Sequence, residues 1–174
     1  VEKDPNYSYV TARLLMDTLR SEALGFLGIA DAATHSEMHY RYATALKMYI
    51  EKGVELELLS PHLLEYNLTV LGEALQADRD QQFTYLGLQT LYDRYFIHSG
   101  GTRFELPQVF YMRVAMGLAS NEENKEERAI EFYNLISSFD YMVSTPQLFN
   151  SGTLRPQLSS CFLTTVPDDL HGIY

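Results

Sequence analysis

Cys161 is the only thiol of the chain, and it closes the stretch STPQLFNSGTLRPQLSSCFL (144–163), where hydroxyl side chains, two prolines and one glycine crowd together. A thiolate can serve as nucleophile, metal ligand or redox partner, and each use needs other groups close by. A single cysteine excludes an internal disulfide framework and a thiolate-rich zinc site. Nucleophilic use would require a general base; His171 follows in sequence, but nothing orients it. The plain alternative is a buried cysteine acting as a small hydrophobe. Against it, Ser159 and Ser160 precede the thiol, so a strand here would alternate polar and thiol side chains where a core strand carries valines. Thr145, Ser151, Thr153 and the two serines also gather donors that can surround a phosphate without a basic surface. The competing use of those hydroxyls is to close turns and caps.

His35 and His39 stand four residues apart on an expected helix, a spacing that lets two imidazoles face one metal ion. The residues between them do not have the zinc-protease order and no third ligand is evident, so the expectation is a surface pair and no metal site. The acidic run NEEN (121–124) reads as a solvated helix start.

These residues depend on the elements around them. The 174-residue chain has 46% hydrophobic and 21% charged residues, enough apolar material for a substantial core. Its net charge of −10 argues against a nucleic-acid or anionic-membrane partner, both of which need a basic footprint. No signal-like run opens the sequence and no apolar run is long enough to span a bilayer, so the expected setting is cytoplasmic.

Helical patterning dominates up to residue 143. DPN starts a helix over 4–30, with Val10, Leu14, Leu15, Leu19, Leu24 and Leu27 as its apolar face. Thr34 and Glu37 make a capping box for a helix over 34–53, with Gly53 at the C-terminal cap. Short helices follow near 60–66 and 68–77, and a longer one over 84–97, ended by HSGGT. PQVFYMRVAMGLAS (107–120) is apolar almost all round and reads as the central buried helix. Ala129, Phe132, Ile136, Phe139 and Val143 give a helix over 124–143. Past that point the period stops, and SSCFLTTV (159–166) has the composition of a strand. The reading is therefore mainly α, ending in one strand.

FELPQVFYMRVAMGLA (104–119), the helix after it and STPQLFNSGTLRPQLSSCFLTTVPDDLHGIY (144–174) closely resemble the large (α) subunit of class I ribonucleotide reductases. The similarity runs from about Asp4 to Tyr174, thinner before residue 80 and dense after 104. The resemblance implies a division into a boundary after an absent ATP cone (1–8), an all-helical domain (9–143), and a loop, first strand of a ten-stranded α/β barrel and start of an effector-specificity segment (144–174).

It also implies the chemistry: reduction of ribonucleoside diphosphates to 2′-deoxyribonucleoside diphosphates by thiyl-radical and dithiol steps. Cys161 inherits the role of one redox cysteine, its disulfide partner lying outside this chain. Thr145 is the candidate for holding the substrate through its phosphates, and Ser160 for lining the substrate pocket beside Cys161. Asp168, Asp169 and Leu170 match the segment that binds a deoxynucleoside triphosphate effector at the interface of two large subunits. The implied partners are a second large subunit, a metal-containing small subunit that generates the radical, ATP and deoxynucleotide effectors, and a thioredoxin- or glutaredoxin-type reductant. No cofactor belongs to this stretch itself, and the chain alone is expected to be inactive, lacking the thiyl cysteine and the second redox cysteine. The rival readings are an autonomous helical interaction module, which an internal repeat would favour but none is visible, and a small thiol enzyme.

Overall fold

Local signals fix the first two helices. In the computed structural model, which describes residues 4–165 and 168, α1 spans Asn6–Phe26 behind Pro5 at its cap. Its buried stripe is Ala12, Met16, Leu19, Arg20, Ala23 and Leu24, while Val10 and Leu14 stand in water. Positions 12, 16, 19 and 23 follow one helical ridge; 14 lies well off it, so the face expected at 10 and 14 is rotated away from the core.

The capping box at Thr34 forms as read. Glu37 N–H donates to Thr34 Oγ1 at 3.3 Å and Thr34 N–H to Glu37 Oε2 at 2.8 Å, opening α2 (His35–Glu55). Gly53 is not the cap. It lies inside α2 because the Leu59 side chain packs where its Cβ would be, and the helix ends instead at Leu56 with Glu57 at φ 57°.

A 3-10 turn at Pro61–Glu65, α3 (Leu68–Glu73) and a second 3-10 turn at Ala77–Gln82 follow. The helix expected over 84–97 is α4 (Tyr85–Thr90) running directly into a π turn at Leu91–Tyr95. Gly100 and Gly101, both at positive φ, close a hairpin between β1 (His98–Ser99) and β2 (Thr102–Arg103).

α5 (Pro107–Leu118) is the central helix, as its all-round apolar sequence suggests: ten of its residues, Pro107 to Met116, are buried. It packs on α6 (Lys125–Ser137) and on α2. α6 stops six residues before the expected end, where Phe139 takes φ 66° and its N–H returns to Ile136 O. The stretch after 143, read as loop, holds one further short helix, α7 (Thr145–Asn150), with Ser144 and Gln147 forming a capping box.

The strand expected over 159–166 is not formed in its described part. Residues 159–165 are exposed and unpaired, because a strand exists only through a hydrogen-bonding neighbour and none of the described residues lies beside them. The mainly helical class holds, and the two-stranded sheet lies at 98–103 instead. No described helix is long and apolar enough to cross a membrane.

Candidate functional site

The segment that carries the candidate residues is tied to α5 by a buried cation. Arg113 is fully buried. Its Nε donates to Glu105 Oε1 at 2.7 Å, and its Nη1 and Nη2 donate to the carbonyls of Ser151 at 2.6 Å and Leu148 at 3.2 Å. Those two carbonyls belong to the end of α7, where a helix leaves acceptors unsatisfied and favours positive charge. Burial alone would lower the Arg113 pKa; the Glu105 charge beside it more than reverses this, so the guanidinium stays charged. Tyr49 donates to Glu105 Oε1 at 2.6 Å, and burial followed by that negative neighbour holds the phenol well above its ordinary pKa. Ile97 N–H completes the carboxylate's shell at 2.9 Å.

Close approach of backbone reinforces the tie. A Cβ on Gly117 would overlap Gly152 N and Ser151 Oγ, and one on Gly152, itself at φ 77°, would meet Arg113 Cγ at 2.9 Å. Ser151 Oγ donates to Val114 O at 2.8 Å, and Ser60 N–H to Gly152 O at 3.0 Å. α5 and the loop are thus packed backbone to backbone, which only glycine permits.

This packing divides the hydroxyl cluster. Ser151 is buried and spent on α5, and Thr153 Oγ1 closes a turn onto Asn150 O at 2.8 Å, so these two serve structure. Thr145, at the first position of α7, together with Ser159, Ser160 and Cys161, faces solvent. Ser160 Oγ lies 3.8 Å from Cys161 Sγ, which brings those two candidates together. Among the described residues no hydrogen bond joins Thr145 to either of them. Cys161 is an exposed free thiol, which removes the buried-hydrophobe reading. Asp168 is exposed; Asp169 and Leu170 lie outside the described residues.

A second buried hub sits on the other side of α5. Asp80 accepts from Tyr42 at 2.7 Å, Gln108 Nε2 at 2.8 Å and Arg20 Nη2 at 3.3 Å. Burial pushes its carboxyl above the ordinary value, opposed by those three donors. Apart from the buried Arg20 Nε, which has no partner among the described residues, the polar side chains of both hubs are hydrogen-bonded within the fold, and their role is to position elements. Leu148 of α7 also walls an apolar groove of about 530 Å³ with Phe83, Leu86, Leu91, Tyr111 and Phe139, a lining suited to packing and not to ribose or phosphate.

Sequence reading missed Arg113, Glu105, Gly117 and Gly152. The signal was present in part: a lone arginine in an otherwise apolar helix is a buried charge in need of a partner.

Residues 81–156, which include the hairpin, α5, α6 and α7, match the ribonucleotide reductase all-alpha domain family. Over its whole length the chain is 47% identical to the ribonucleoside-diphosphate reductase subunit alpha of Chlamydia trachomatis, of which it covers 16%. It is 38% identical to the subunit of the same name from Helicobacter pylori over 98% of the chain and 20% of the relative. It is 34% identical to the ribonucleoside-diphosphate reductase large chain of Schizosaccharomyces pombe over 99% of the chain and 20% of the relative. The chain therefore spans only about a sixth to a fifth of these relatives. From end to end the chain is similar to ribonucleotide reductase large subunits, and the arginine-tied loop lies inside the stretch that matches the all-alpha domain model.

Proposed function

We propose that the chain serves as the helical part of a ribonucleoside-diphosphate reductase large subunit and delivers one redox cysteine to the substrate. The overall reaction replaces the ribose 2′-hydroxyl by hydrogen; the hydroxyl leaves as water, and two thiols supply two electrons and two protons as they become a disulfide. Cys161 is one of those thiols, and the other belongs to a residue outside this chain. An exposed thiol is what such a couple requires, since an external thioredoxin- or glutaredoxin-type dithiol must reach the disulfide to reduce it. Thr145 holds the substrate diphosphate and Ser160 lines the pocket next to the thiol. Asp168, with Asp169 and Leu170, contacts a deoxynucleotide effector where two large subunits meet. A small subunit supplies the radical, and the setting is cytoplasmic. Residues 9–143 act as scaffold and 144–174 as the working segment.

The observation that carries this reading is the end-to-end similarity to reductase large subunits, continuing through the 144–161 stretch up to the single thiol. The test is Cys161→Ser in the complete subunit. Turnover with the dithiol reductant should fall at least a thousandfold while effector binding, measured by equilibrium dialysis, stays unchanged. Turnover within twofold of the unmodified enzyme would remove Cys161 from the chemistry. The 174-residue chain by itself should reduce no substrate.

A further inference from the structure

We propose that His35, His39 and Asp78 form a binding site for a divalent transition metal of the zinc class. This stands independently of the reductase reading. The two imidazoles lie one turn apart at the start of α2, their rings edge to face with centroids 5.5 Å apart. The ligand that the sequence did not reveal comes from the 3-10 turn at Ala77–Gln82. Asp78 Oδ1 stands 3.1 Å from His35 Nε2 and 3.4 Å from His39 Nε2, and one donor atom from each residue lies within 4.8 Å of the others.

A tetrahedral zinc ion with bonds of about 2.0–2.1 Å holds its ligand atoms roughly 3.3–3.4 Å from one another. Of the three separations, that of 3.4 Å has this size, that of 3.1 Å is slightly shorter and the third lies within 4.8 Å. An ion placed among these atoms binds the lone pair of each ring's Nε2, so each neutral ring carries its proton on Nδ1. Arg20 Nη2 is 3.5 Å from His35 Nδ1, too long to fix the tautomer, and it also donates to Asp80. The Gln81 carboxamide nitrogen lies 2.7 Å from His35 Nε2; a half-turn of that group would present its oxygen as a fourth ligand.

Ligand chemistry decides which cations bind. Two imidazoles and one carboxylate suit zinc, nickel or copper and disfavour magnesium and calcium, which want oxygen alone. The side chains of His39 and Asp78 are 51% and 76% exposed, so an ion reaches them without unfolding and substitutions there leave the core intact. A bound ion would pin the start of α2 to the turn that carries the buried Asp80.

The test is calorimetric titration of the chain with zinc chloride, with magnesium chloride alongside. One equivalent of zinc should bind, with no competition from magnesium. His39→Ala and Asp78→Asn should each weaken zinc binding at least ~10-fold. His62→Ala, at a separate exposed histidine–carboxylate pair with Glu65, should leave it unchanged. Zinc should raise the melting temperature of the unmodified chain and of His62→Ala, but not of His39→Ala. No zinc binding, equal binding by both site variants, or an equal loss in His62→Ala would each overturn the site.

Discussion

At the scale of residues, the fold turns on charges where the sequence shows apolar helix. Arg113 lies within a run whose neighbours are all core, and its partner Glu105 is eight positions away in the linker before α5. Hydrophobic periodicity can say that α5 is buried; it cannot say which carboxylate and which carbonyls will meet the guanidinium, because those come from separate parts of the chain. Removing one member of a buried pair leaves the other uncompensated, at a cost of about 3–5 kcal/mol. Arg113→Met should lose that much stability in urea unfolding, and Arg113→Lys should recover little, because one ammonium cannot reach Glu105 and both loop carbonyls together. Pairing Arg113→Met with Glu105→Leu should restore part of the loss. A loss below 1 kcal/mol in Arg113→Met would mean that the tie contributes little. Asp80 was hidden for the same reason: its donors Arg20, Tyr42 and Gln108 sit on three different helices.

At the scale of elements, what was legible was local. The Thr34–Glu37 box closes over three residues and needs no tertiary partner, so spacing alone reveals it. Thr34→Ala should cost about 1 kcal/mol and lower the melting temperature by about 2–4 °C. Circular dichroism would measure both, and an unchanged melting point would show that packing alone holds α2. The same box at Ser144 and Gln147 was passed over because prolines and serines around it read as loop, although proline suits the first turn of a helix. The π turn at Leu91–Tyr95 had no such signature; Phe96 N–H reaches Leu91 O at 2.9 Å, and that shift in register is set by how Phe96 packs into the core. The strand expected over 159–166 is absent from its described part because β composition states a capacity to pair, while pairing itself needs a second strand.

For the chain as a whole, the core and the candidate residues occupy separate regions. The buried cluster draws on every long helix, whereas the tail from Leu154 to Thr165 lies largely in water with Phe162 and Leu163 exposed. The thiol should therefore react without any opening of the fold. In native buffer, Cys161 should take up one equivalent of a maleimide as fast as it does in denaturant, and the modified chain should melt at the same temperature. Protection of the thiol, or a lowered melting point after labelling, would place the tail against the helical body. The candidate residues stood out as a motif because they fall within one stretch of sequence, 145–170, and the support of that stretch did not, because α5 meets the loop only through folding.

The contact between α5 and the loop has a consequence for chain length. Arg113 and Gly117, one turn apart, engage a span running only from Leu148 to Gly152. An added residue inside that span would carry one carbonyl off the guanidinium or drive a side chain into Gly117. An added residue between Tyr141 and Val143, beyond the hydrogen bonds that close α6, would be absorbed as slack. As such a gene diverges, insertions and deletions should accumulate in the second stretch and be purged from the first.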